Sequence, residues 1–172
     1  MPDAAEYNEG LVKEDARYKP YTLKRLTDLD PADKTEKPEG LLTARQLKED
    51  VFENIDMLFN SRSHASLADL KGYEDVENSV LGYGISDFCG RQSSTASREA
   101  LRGHIYKQIG LFEPRLDPAS ITIELLDTIG GDETSVEFKI GGHITTKEVS
   151  EEIYFISKLN LESGNAELRM EG

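Results

Sequence analysis

The sequence predicts an α+β domain: two main helices followed by an antiparallel four-stranded meander, preceded by a flexible acidic N-terminal arm. Three observations lead there. Two stretches carry apolar residues at helical spacing, the chain beyond Ile121 alternates apolar and polar residues, and residues 1–42 are charged and studded with prolines. The 172 residues suit one compact domain with a tail, divided here as an extended or partly ordered arm over 1–42 and a folded domain over 43–172.

The arm holds Pro2, Pro20, Pro31 and Pro38 and too little apolar surface to build a core element. Within it, Leu23-Lys24-Arg25-Leu26 reads as a short amphipathic turn, with Leu23 and Leu26 opposite Lys24 and Arg25. That turn is either a local docking segment or a partner-binding arm. The first helix starts near Thr43, a side chain suited to accept a hydrogen bond from the first-turn amides. Leu47, Val51, Ile55 and Leu58 then fall on one face, and Asn60 and Ser61 end the helix. His64 to Gly72 reads as a loop or a short helix.

Ser79 to Phe88 carries glycines at 82 and 84 around Tyr83, and predicts a tight turn presenting Leu81, Ile85 and Phe88 to the core. No Gly-Lys-Ser/Thr follows, so the turn is not a phosphate-binding P-loop. The second helix runs from about Thr95 to Gly110, with Leu101, Ile105 and Ile109 inward and Gly110 as its stop. His104 is expected at the surface or boundary. The strands follow: Ile121, Ile123 and Leu125; Val136, Phe138 and Ile140; Ile153, Phe155, Ser157, Leu159 and Leu161; Ala166, Leu168 and Met170. Gly141-Gly142 suggests a bulge or strand end, and Gly130-Gly131-Asp132 and Ser163-Gly164-Asn165 suggest turns.

Charge narrows the function. A net charge of −13 argues against nucleic acid and against an anionic membrane surface as direct partners. It fits a basic protein partner or plain solubility. The first residues lack the basic and apolar regions of a signal peptide, and no apolar run is long enough to span a bilayer, so a cytoplasmic protein is expected. The single Cys89 fits a reducing compartment.

Catalytic and metal chemistry finds little footing. His64, His104 and His143 have no second His or Cys at ligand spacing, so neither metal nor cofactor is expected. Cys89 lies in no recognisable nucleophile loop. The feature with most local character is Phe112-Glu113-Pro114-Arg115-Leu116, between the second helix and the first strand. Pro114 biases Glu113 toward extended backbone, which projects Glu113 and Arg115 together while Phe112 and Leu116 bury. Two readings stand: an ion pair fixing the helix-to-strand corner, or a charged device that engages a neighbouring subunit. A third makes Glu113 the general acid of a peptidoglycan-cleaving muramidase. The adjacent guanidinium would lower its pKa, the wrong direction for a proton donor at neutral pH.

The Tyr-Gly turn at Gly82, Tyr83 and Gly84, then a helix, then Glu113-Pro114-Arg115, resembles the TssE family of the type VI secretion baseplate. That family lies within the phage baseplate wedge proteins historically named lysozyme-like. Leu23 to Asp28 resembles the family's N-terminal segment, and the similarity spans roughly residues 22 to 170. The resemblance implies a structural, non-enzymatic subunit at the cytoplasmic face of the inner membrane. Its partners would be the wedge subunits TssF, TssG and TssK and the sheath subunits TssB and TssC. It further implies a domain like the strand-exchanging domain of the sheath, able to help initiate sheath assembly. Glu113, Pro114 and Arg115 match the family's core motif and become the candidate partner-binding residues, with Lys24 and Arg25 in the arm. The chain departs from the family in Gly82, where many members carry Asn, and in longer stretches before Pro20 and from Asp30 to Glu39.

Overall fold

The structure, a computed structural model, describes residues 18–19, 26, 32, 42–63, 72–86, 95–126, 134–145 and 150–171. The expected Lys24-Arg25 turn and the expected inward face of Phe88 lie outside these residues, as do His64 and Cys89; Leu26 is exposed.

Helix α1 spans Ala44–Phe59. Thr43 caps it as expected, and Gln46 reciprocates: Thr43 Oγ1 accepts from the Gln46 amide at 3.3 Å, and Gln46 Oε1 accepts from the Thr43 amide at 2.9 Å. Asn60 closes the helix. A single turn, α2, follows at Glu74–Glu77, then a 3-10 turn at Val80–Gly82. Helix α3 runs Thr95–Phe112, past the expected stop at Gly110. Pro114 ends it instead, because the residue before a proline resists helical backbone.

The sheet has strands β1 (Thr122–Leu126), β2 (Ser135–Thr145), β3 (Ser150–Asn160) and β4 (Ala166–Glu171) in that spatial order, all neighbours antiparallel. The meander is the one the alternation predicts. Gly141 and Gly142 make neither bulge nor end: β2 pairs without a slip through Gly141↔Tyr154 and Gly142↔Ile153 to Thr145↔Ser150. Gly141 is there for space. A Cβ at 141 would stand 2.6 Å from the Tyr154 ring, which lies across the outer face of the sheet.

The helices cover the other face. Leu47, Val51, Ile55 and Leu58 of α1 and Leu101, Ile105 and Ile109 of α3 are all buried, as their spacing predicts. They meet Ile123, Val136, Phe138, Ile140, Ile153, Phe155 and Leu159 from the sheet in one core. Phe52 packs edge-on to Phe155 with ring centres 6.2 Å apart. Tyr18, from within the arm, is buried in the same core, and its backbone exchanges hydrogen bonds of 2.7 and 2.6 Å with Leu42.

Candidate functional site

Glu113 takes the last helical bond of α3, its amide donating to Ile109 at 2.9 Å. The chain then turns tightly, with the Leu116 amide donating to the Glu113 carbonyl at 3.1 Å. Pro114 sits at the second position of that turn, where its fixed φ is already correct. Glu113 and Arg115 therefore meet through a turn, and the expected extended backbone is corrected. Leu116 buries as expected and Phe112 packs partly buried against the core, but Glu113, expected to project, is itself buried.

Arg115 grips Glu113 with a fork. Its Nε donates to Oε1 and its Nη2 to Oε2, each at 2.7 Å. The Arg115 amide adds a 3.3 Å bond to Oε1, and Asn54 Nδ2 of α1 donates to Oε2 at 3.1 Å. The remaining arm, Nη1, reaches Asp50 Oδ2 of α1 at 2.7 Å. Asp50 and Glu113 are each 1% exposed. Burial alone would disfavour the guanidinium charge, but Glu113 and then Asp50 outweigh it and hold Arg115 above its ordinary value. One guanidinium thus ties the end of α3 to α1. Its own backbone continues the sheet: the Thr145 amide donates to the Arg115 carbonyl at 3.0 Å, and the Asp117 amide to the His143 carbonyl at 2.9 Å.

The Tyr-Gly turn is a second rigid unit beside it. Gly84 has φ of +106°, a backbone shape that side chains resist, and a Cβ there would also strike the Ser61 carbonyl at 2.4 Å. A Cβ at Gly82 would lie 1.9 Å from the Glu77 carbonyl. The turn is strapped to α3 by Gln108, whose Nε2 donates to the Gly82 carbonyl at 3.0 Å while its Oε1 accepts from the Gly84 amide at 3.2 Å. It is strapped to the segment after α1 by the Ile85 amide to Ser61 and the Ser63 amide to Ile85, at 2.9 and 3.3 Å.

His104, expected at the surface or boundary, is part of the same strap and lies just inside. It is 8% exposed, and its Nε2 accepts from the Ser86 amide at 3.1 Å. Burial depresses its pKa below 6.5; the nearby Gly84 carbonyl and Glu77 favour the charged ring, and Lys107 disfavours it. Ile85 faces the core as expected, whereas Leu81 is 55% exposed, against the expectation. Tyr83 meets Phe112 edge-to-face with ring centres 5.1 Å apart, so the Tyr-Gly turn leans directly on the residue before Glu113.

Asp50, Asn54, His104 and Gln108 were invisible as partners because each bonds across a long loop, as in the 65-residue separation of Asp50 from Arg115. A faint signal existed: each pair is polar, sits four residues apart, and interrupts an apolar stripe. Among the described residues no group of His, Cys, Asp and Glu is arranged to hold a metal ion. Among the described residues no helix is long and apolar enough to cross a membrane.

Fold and site together define a small α+β module in which a carboxylate–guanidinium corner holds the end of α3 to α1. The sequence model for baseplate wedge protein gp25 matches residues 45–149, more than half of the chain. The chain belongs to that family of structural baseplate proteins, of which the TssE subunits are members. No curated protein and no solved structure matches it.

Proposed function

We propose that the chain is the TssE subunit of a type VI secretion baseplate. It would join the wedge subunits TssF, TssG and TssK to the first ring of TssB and TssC, at the cytoplasmic face of the inner membrane, and help to initiate sheath assembly. It does so as a structural part, without catalysis.

The observation that carries this reading is the saturation of Glu113. Its carboxylate accepts bonds from Arg115 and Asn54 and is almost fully buried, so it is engaged within its own fold and not open to a sugar substrate. What the corner offers is geometry. Asp50 and Asn54 set the position of α1, and Asn60 at the end of α1 accepts from the Ala166 amide of β4 at 3.1 Å. Alternate residues of an antiparallel edge turn their backbone groups outward. With Ala166 turned outward toward Asn60, Leu168 and Met170 turn their amides and carbonyls the same way, and no further strand flanks β4 among the described residues. An edge held this firmly suits addition of a strand from a sheath subunit.

Reconstitution tests it. Purified wedge subunits with this chain should nucleate TssB–TssC sheath, and omission of the chain should abolish nucleation. Met170→Pro removes one outward amide without touching a bond to β3, so it should slow nucleation while the melting temperature holds. Nucleation that is indifferent to the chain would reject the reading. Release of muropeptides from cell walls, abolished by Glu113→Gln, would replace it with the muramidase.

A further inference from the structure

Val80 and Leu81 stand side by side on the 3-10 turn, 84% and 55% exposed. Single exposed aliphatics are ordinary on protein surfaces. What sets these two apart is the backbone beneath them. Ser79 Oγ accepts from the Leu81 amide at 3.3 Å and donates to the Val76 carbonyl at 2.7 Å. Gly82 lies against the Glu77 carbonyl and is held by Gln108 on α3, and Glu77 itself is bound by Lys107 at 2.6 Å. The α2 turn and the 3-10 turn therefore form one stiff knuckle with two aliphatic side chains at its tip.

The ground around the tip is acidic. Glu74 and Asp75 are exposed on α2, which packs directly on the 3-10 turn. A second copy of the chain would bring acid against acid, at a net charge of −13 on each molecule. An anionic lipid surface fails for the same reason. The complementary surface is apolar at its centre and basic at its rim.

We propose that this knuckle is a docking plug: Val80 and Leu81 seat in an apolar pocket of a neighbouring wedge subunit whose rim presents Lys or Arg to Glu74 and Asp75. The wedge reading above supplies the partner, and the plug is separate from both the Glu113 corner and the β4 edge. Because the backbone is already fixed, binding orders little beyond the two side chains. The aliphatic tip governs how long the complex lasts, and the acidic collar governs how fast it forms.

The test measures binding kinetics of the full chain to purified wedge subunits. Val80→Asp combined with Leu81→Asp should weaken affinity by about tenfold or more, mainly through faster dissociation. Glu74→Lys combined with Asp75→Lys should slow association and flatten its salt dependence. Both variants should keep the wild-type melting temperature, since none of the four side chains is buried. If wild type binds and the aspartate variant stays within about twofold of it, the plug is rejected while the wedge reading stands. If wild type binds no wedge subunit, both fail. Self-association of the wild type that the aspartate variant abolishes would assign the knuckle to a second copy and overturn the proposal.

Discussion

The Glu113 corner and the Val80–Leu81 knuckle invert the usual distribution of residues, in opposite senses. At the corner two buried carboxylates hold a partly buried guanidinium. At the knuckle two aliphatics lie outside it. Burying charge is costly unless geometry is near ideal, and exposing Val and Leu forgoes about 1.5–3 kcal/mol each. The corner offsets its cost with charge-assisted bonds that no other molecule needs to complete. The knuckle has no such internal compensation among the described residues. The comparison teaches that a motif rich in charge can satisfy its charges within its own fold, while a plain pair of aliphatics is left facing outward.

Breaking the corner should cost most. Arg115→Ala leaves two buried carboxylates without the cation they share, so unfolding free energy should fall by about 3–5 kcal/mol, measured by urea denaturation. A loss under about 1 kcal/mol would mean that water already screens the corner. Gly84→Ala comes next, because it forces a side chain into a left-handed backbone and against the Ser61 carbonyl. It should cost about 1–3 kcal/mol and speed amide exchange at Ile85 more than at Ile140.

Acid sharpens the contrast between the strap and the knuckle. His104 is held neutral in the fold, so the unfolded chain takes up its proton first. Its contribution is fully present above pH 6.5 and is lost as pH falls below that value through its depressed folded pKa. Urea titrations between neutral and mildly acidic pH should show that slope in the wild type and a shallower one in His104→Gln. The smallest effect belongs to the knuckle: Leu81→Ser should change stability by no more than about 0.5 kcal/mol by thermal denaturation. A larger loss would show that Leu81 packs against its own chain.

The fold was legible where periodicity speaks. Spacings of four and three residues located the buried faces of α1 and α3, and strict alternation located all four strands. The errors arose where one residue type serves two purposes. Gly141 looked like a break in β2 and proved to be room for the Tyr154 ring. Gly110 looked like a helix stop, although Pro114 does that work from beyond the helix end. At the site, Glu113 and Arg115 were foreseen as a pair from local geometry. Their anchors on α1 were not, because Asp50 and Asn54 read as polar residues on a solvated flank until the tertiary fold closes over them. Leu81 misled for the converse reason: hydrophobicity marks a side chain as wanting cover, and does not say whose.

Asn60 has one last consequence. By capturing the Ala166 amide it takes one donor from the inner end of β4, so the outward amides begin only at Leu168. Among the described residues two outward amides remain, on Leu168 and Met170. Any strand laid along this margin can gain only that short ladder from it. A single link made through so short a seam stays weak enough to let go.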